Sequence, residues 1–224
     1  MKDEYHVLNR VRRALGRGPG PTSTPPAPPV ISPVVARLVH TTTGLPELFA
    51  QRAAELKMIV TETSSSDAAA KLLAFVRKHP IKSIAMSVSP LLQRLRLREA
   101  LTDAGLTVKS WDEMTLDELY EFDCAITDVD HAVAESGTIV IKPTQNHGRG
   151  LSLVPMYHIA FVEPGQILPD MVDLFDRLVT DEHRSNVILI SGPSKTADIE
   201  MNVVTGVHGP NVVNTFILKG ESGD

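Results

Sequence analysis

The chain has 224 residues, 42% of them apolar, with 27 Asp and Glu against 22 Lys and Arg and a formal charge of −5. That length can bury one sizeable core, while the acidic balance excludes nucleic-acid binding by bulk charge, because neutralising phosphates requires a basic face. A single cysteine, Cys124, rules out an internal disulfide and the cysteine sets of iron–sulfur or structural zinc sites.

No apolar run reaches transmembrane length, and the N-terminus MKDEYHVLNRVRRALG is too polar for a secretory signal. A cytoplasmic protein without a membrane partner is expected. Leu8, Val11 and Leu15 recur at helical spacing with Arg10, Arg12 and Arg13 on other faces, which predicts a short basic amphipathic helix in residues 1–17, ended near Gly16. Residues 18–33, GPGPTSTPPAPPVISP, cannot support a helix interior or a ladder and are read as an extended linker. At roughly 3.1 Å per residue such a linker spans on the order of 45 Å, so the first helix either reaches a neighbouring subunit or packs on its own domain.

The main domain is assigned to residues 34–220. Helical patterns at 33–40, 45–56, 67–79 and 90–105 alternate with strand patterns at 57–62, 81–87 and 106–111, the signature of a parallel sheet with helices on its faces. After a short helical stretch at 115–121, the runs CAIT, GTIVIKP and MYHIAFVEP follow one another with no long helix between them. Consecutive strands imply hairpins, so the sheet should turn mixed there. Alternation then resumes with a helix at 169–180, a strand at 186–190, a helix at 195–204 and a last strand at 211–218.

In open α/β sheets, ligands bind beyond the carboxyl ends of strands, so the loops leaving strands are the places to look. In TDVDHAVAESGT (127–138), Glu135 could serve as nucleophile or general base, or accept backbone hydrogen bonds or pair with Arg149 or Lys195. Gly137 permits a positive φ beside it. Asp128 and Asp130 lie upstream, Asp130 in a supporting role. Asp130, His131 and Glu135 are metal-ligand types, but their spacing matches no dedicated motif, and no metal is expected. In KPTQNHGRGLSLVP (142–155), Asn146 and His147 precede Arg149, which stands between Gly148 and Gly150 and suits a forked grip on a carboxylate or phosphate; the alternative is an exposed hairpin tip.

The stretch ISGPSKTADIEMNVVTGVHGP (190–210) lacks the glycines of a phosphate-binding P-loop, since Leu189 and Ser194 occupy their places. What remains is a strand, a turn and an expected helix N-terminus, where free N–H groups favour an anion near Ser191, Gly192, Ser194, Lys195 and Thr196. Ser194 or Thr196 could cap that helix, and Asp198 in its first turn could satisfy the helix end without any ligand. His208, between Val207 and Gly209, is a candidate for acid–base work near neutral pH or a structural loop residue.

Together AVAESGTIVI and ISGPSKTADIEMNVVTGVHGP resemble the LUD-domain family, the lactate-utilisation protein C group. Thr127, Asp130, Ala132, Ala134, Glu135, Gly137 and Thr138 match one family motif, and Arg149, Ser152, Leu153 and Pro155 a second. Residues 192–200 and 206–210 match the rest. Ser136, Met156 and Lys195 depart from the usual residues, and a lysine cannot make the forked contact of the arginine it replaces. The resemblance implies a Rossmann-like NagB/RpiA/CoA-transferase-like α/β sheet, mostly parallel with an antiparallel hairpin region. It implies the short, cluster-free, non-redox subunit of a bacterial complex oxidising L-lactate to pyruvate, an iron–sulfur L-lactate dehydrogenase complex, with the clusters on partner subunits.

On this reading the chain binds no cofactor itself and holds a small carboxylate or phosphate through Arg149 and the 191–196 turn. Whether it is itself catalytic is left open, and homo-oligomers are compatible with it. Analogy with CoA transferases and sugar-phosphate isomerases of the same broad fold offers a second reading, a stand-alone enzyme using Glu135. The third is a scaffolding or regulatory module whose partner contact is the N-terminal helix and linker.

Overall fold

The computed structural model describes residues 2–17, 37–39, 41–180, 186–197, 203–205 and 209–219. The chain divides into two units, Met1–Val35 and Ala36–Asp224. The first contains helix α1 (Lys2–Ala14), followed by Gly16 in a left-handed conformation at φ 68°. The linker at 18–33 lies outside the described residues.

The second unit is built on six strands in the order β1-β12-β7-β4-β2-β3, every neighbouring pair parallel. These are β1 (Ile59–Thr63), β2 (Ser83–Met86), β3 (Thr107–Ser110), β4 (Cys124–Asp128), β7 (Tyr157–Val162) and β12 (Val212–Leu218). Central strands bury both faces, which explains why β4 and β7 read as nearly unbroken apolar runs. Against one face pack α3 (Ala68–Val76), α4 (Pro90–Arg94) and α5 (Leu97–Asp103), joining Leu72, Leu92 and Leu101 to Ile84, Ile126, Ile159 and Phe216.

The expected single helix at 90–105 is two helices. Arg96 takes a left-handed conformation at φ 50° and breaks it. Leu95 and Leu97 would stand roughly 200° apart on a continuous helix, and the break allows both to be buried.

The antiparallel pairing expected within the main sheet instead forms a second sheet, in the order β8-β5-β6-β9. Its strands are β5 (His131–Val133), β6 (Thr138–Ile141), β8 (Ile167–Leu168) and β9 (Ile188–Ile190); β5 and β8 were too short to stand out in the sequence. One side of this sheet shares a core with α2 (Leu45–Glu55) and the main sheet through Phe49, Ala132, Ile139, Ala160 and Ile217. Its other side, with Val133, Val140 and Leu168, packs on Leu174 of α7 (Met171–Thr180). A short α6 (Leu116–Leu119) precedes β4 and buries Leu119 against Ala85, Ala125 and Leu151.

The described residues of the helix expected at 195–204 are extended strands instead. Strand β10 (Lys195–Ala197) pairs antiparallel with β11 (Val203–Thr205), in register Lys195↔Thr205 and Thr196↔Val204. Three of these six residues are valine or threonine in β11 and a fourth is Thr196, so β-branched side chains favour the extended form once a partner strand is present.

Candidate functional site

The sequence motifs meet around the end of α2. Gly137, in the turn between β5 and β6, has φ 60°, and a Cβ there would lie 2.4 Å from the backbone N of Ala53. Gly192 has φ 94°, and its Cβ would lie 2.5 Å from the Leu56 carbonyl oxygen. Both glycines are therefore required by backbone conformation and by close approach to α2. Thr138 Oγ1 shares a 2.7 Å hydrogen bond with Ser191 Oγ, and Lys195 Nζ donates to the Leu56 carbonyl at 3.1 Å. The Ser194 N–H donates to the Pro210 carbonyl at 2.9 Å, so the GP end of the last motif packs on the same turn.

Met156, Pro210 and Asn211 immediately precede β7 and β12, which puts this part of the motif cluster at the amino edge of the main sheet. The helix N-terminus expected to offer an anion site at Ser191, Gly192, Ser194, Lys195 and Thr196 is not formed, because Lys195 begins a strand. Ser194 and Thr196 therefore do not act as caps of such a helix. Asp198 and His208 lie outside the described residues.

Glu135 is half-buried, its N–H donating to the Pro169 carbonyl at 3.0 Å. It borders a cavity of about 270 Å³ with Val39, Thr41, Leu48 and Arg52. Arg149 is exposed and stands apart from Glu135, in a 3-10 turn (Arg149–Ser152) that contacts α6 and β4. Its flanking glycines do not form a hairpin tip. A Cβ on Gly148 would lie 2.0 Å from the Trp111 ring, and one on Gly150 would lie 2.7 Å from Leu119.

Topology singles out another place. The chain passes from β2 outward to β3, then returns to β4 on the other side of β2, so the connections leaving β2 and β4 diverge at their carboxyl ends. Such a switch point opens the crevice in which α/β sheets bind ligands. Here Ser87 Oγ donates to Asp128 Oδ1 at 2.9 Å, and His147 Nδ1 lies 3.8 Å from the same oxygen. The Val88 N–H donates to the Asn146 carbonyl at 2.9 Å, tying in a turn closed by two hydrogen bonds between Thr144 and His147. Asp130 Oδ2 accepts the Lys142 N–H at 2.6 Å.

Three titratable groups here are perturbed. Burial pushes the His147 pKa down against the opposing charges of Asp128 and Asp130. His158, fully enclosed on β7 with Nε2 2.9 Å from Thr127 Oγ1, is driven by burial, and secondarily by His147, down to about 3. Burial raises the Asp130 carboxyl, opposed by the Lys142 N–H and by the charges of Lys142 and His147, with Asp128 adding to the rise. The His147 side chain is 9% exposed, and its Nε2 is buried without a hydrogen-bond partner among the described residues. Perturbed groups concentrated at a crevice are the usual mark of a functional site.

Ser87 also faces a cavity of about 130 Å³ at the ends of β2 and β3, lined with Met86, Leu92, Gln93, Arg98 and Ser110. Sequence reasoning noticed Asp128 and His147 only as neighbours of other candidates and did not raise Ser87, Lys142 or His158. The available signal was the polar SVSP following one buried strand and DVD following another. Among the described residues, no group of three or more His, Cys, Asp or Glu could hold a metal ion.

The fold is thus an α/β sandwich with a parallel sheet, a small second sheet and a polar switch-point crevice. The LUD domain family matches residues 46–218, and the chain belongs to it. It is similar to the Lactate utilization protein C of Halalkalibacterium halodurans, 32% identical over 65% of this chain and 73% of that one. It is also similar to that of Bacillus pumilus, 37% identical over 50% of this chain and 51% of that one. A crystal structure of a DUF162 family protein from Deinococcus radiodurans has the same fold, with a TM-score of 0.61 at 19% identity, covering 80% of this chain and 99% of that one. Among the described residues, no helix is long and apolar enough to cross a membrane.

Proposed function

We propose that this chain serves bacterial lactate utilisation in the cytoplasm, as the non-redox subunit of a complex that oxidises L-lactate to pyruvate. The observation that carries this reading is its similarity to proteins named Lactate utilization protein C, at 32% and 37% identity to the two described above. The oxidation releases two electrons and two protons, and the electrons need an acceptor. The one cysteine in these 224 residues, Cys124, is buried within β4, and burial raises its thiol pKa. A lone buried thiol supplies neither the count nor the thiolate that iron–sulfur clusters require, which supports clusters carried by partner subunits. Deleting the gene should abolish growth on L-lactate while leaving growth on glucose intact, and the full chain should co-purify with iron–sulfur subunits. Normal growth of the deletion strain on L-lactate overturns the reading.

A second reading, a stand-alone acyl-transfer or sugar-phosphate enzyme, draws on the cavity of about 270 Å³ beside half-buried Glu135. Incubation with acyl-CoA should then leave an adduct, seen by mass spectrometry and lost in Glu135→Ala. No adduct, with no turnover across a sugar-phosphate panel, removes it.

A further inference from the structure

The chain carries two unpartnered apolar surfaces of opposite charge, one in each of its two units. In the first, Val7, Val11 and Leu15 recur every fourth residue along α1 and into its final turn, each more than half exposed. That spacing puts them in one stripe, with Arg10 to one side and Arg12 to the other. Residues 7–17 hold four arginines and no acidic residue. A helix of 13 residues is marginal by itself in water, so the stripe needs a surface to bury against.

In the second unit, the main sheet beside β2 and β4 is covered by two short elements, α6 and the 3-10 turn Arg149–Ser152, through Leu119 and Leu151. On this cover Leu116 and Tyr120, one turn apart, are each more than half exposed. Leu116 and Val154 both lie beside Gly150, and Leu153 is exposed as well, so the apolar surface continues onto the turn. Residues 111–123, WDEMTLDELYEFD, hold six carboxylates and no basic residue. Glu113 and Glu118 are bridged to Arg98 and Lys109, and Asp123 accepts from the Lys82 and Ser83 N–H groups. Asp112, Asp117 and Glu121 are exposed, and none has an ion-pair partner among the described residues. An apolar patch rimmed by polar residues marks a contact surface, and complementary charge selects what sits on it.

We propose that the exposed face of α6 receives α1 of a second copy of this chain, with Val7, Val11 and Leu15 covering Leu116 and Tyr120 while Arg10 and Arg12 meet Asp117 and Glu121. Each copy gives one helix and receives one, so the interface closes about a two-fold axis and the two short contacts reinforce each other. Seven prolines in residues 18–33 favour a semi-rigid spacer of roughly 45 Å, long enough to reach a neighbouring molecule. The other surface that a basic amphipathic helix fits is an anionic membrane. Charge disfavours it: residues 1–17 hold five basic and two acidic residues, so the rest of the chain carries −8 of the formal −5, which anionic lipid repels. This assembly is independent of the lactate-utilisation reading.

Sedimentation equilibrium of the full chain at about 50 and about 500 mM salt is the test. Dimers should form at low salt and weaken roughly tenfold or more at high salt. Val11→Asp should weaken them by a similar factor. Two double variants, Arg10→Glu with Arg12→Glu and Asp117→Lys with Glu121→Lys, should each be monomeric. Mixed in equal amounts, these two should dimerise again, because each exchanged helix then meets a surface of opposite charge. Circular dichroism and thermal melting verify that each variant is folded before it is scored. A wild type that stays monomeric at low salt, dimers indifferent to either double variant, or a mixture that stays monomeric overturns the proposal. So does a monomeric wild type that co-sediments with phosphatidylserine vesicles and loses that binding in the Arg10 and Arg12 variant, an outcome that assigns α1 to a lipid surface.

Discussion

Two histidines enclosed near the carboxyl end of β4 set an acid limit on stability. His158 has its folded pKa driven down to about 3 by burial and secondarily by His147, against an ordinary value of about 6.5. A histidine whose folded pKa is depressed binds its proton more readily in the unfolded chain. Its stabilising contribution is complete above about pH 6.5 and is lost as pH falls from there toward about 3. Each unit in that window removes about 1.4 kcal/mol, so His158 alone should cost roughly 2–3 kcal/mol between about pH 6.5 and 4.5. Against a typical total of about 5–15 kcal/mol that is a large fraction. His147, depressed chiefly by burial, adds a loss of the same sign below about pH 6.5. Asp130, raised chiefly by burial, works in the opposite sense above its ordinary range. Glu113 and Glu118, depressed first by their hydrogen bonds to Arg98 and Lys109, lose their contributions only as pH falls through the acid carboxylate range.

The perturbation that isolates His158 is His158→Gln, which keeps an amide able to bond Thr127 Oγ1 and removes the titration. Urea unfolding of both proteins at about pH 7.5, 6.5, 5.5 and 4.5 gives the difference directly, because the other groups cancel. The advantage of wild type over variant should shrink by roughly 2–3 kcal/mol across the acid half of that range. Parallel stability curves for the two proteins would refute a neutral, desolvated His158.

Gly148→Ala should destabilise by about 1–3 kcal/mol in denaturant unfolding, because its Cβ would meet the Trp111 ring at 2.0 Å and a rigid ring must shift. Phe216→Ala should cost about 3–5 kcal/mol by the same measurement, since the ring is fully buried and stacks on Phe161 at 4.8 Å. Glu163→Gln, which breaks an exposed bridge to Arg94, should change stability by less than about 1 kcal/mol in a melting or denaturant series. Gly137→Ala should lower the melting temperature more than the Glu163 change, because it combines a positive φ with a backbone clash.

Local pattern alone determined most of the elements of the main domain. Apolar spacing identified α2, α3 and α7, and short runs rich in apolar and β-branched residues identified β2, β4, β7 and β12, because helical and strand periodicities are written in residues a few positions apart. The same reasoning located Gly137 as a special backbone position, and its φ is positive; Gly192, expected only as part of an anion-binding turn, has a positive φ as well. It chose a helix for 195–204, as Lys195, Ala197 and Met201 favour, and was wrong there: pairing between strands decided for the extended form that Thr196, Val203 and Val204 favour. Nor could it see that two motifs distant in the chain pack on the end of α2, one at Arg52 and Ala53 and the other at Leu56, or that the turn beginning at Arg149 packs on α6 and β4. The switch-point crevice shows the limit most clearly. Ser87 and Asp128 are 41 residues apart and share one hydrogen bond only because the chain crosses from β3 back to the far side of β2. Periodicity specifies which residues turn inward, whereas the order of strands in the sheet, set by long-range burial, decides which of them meet.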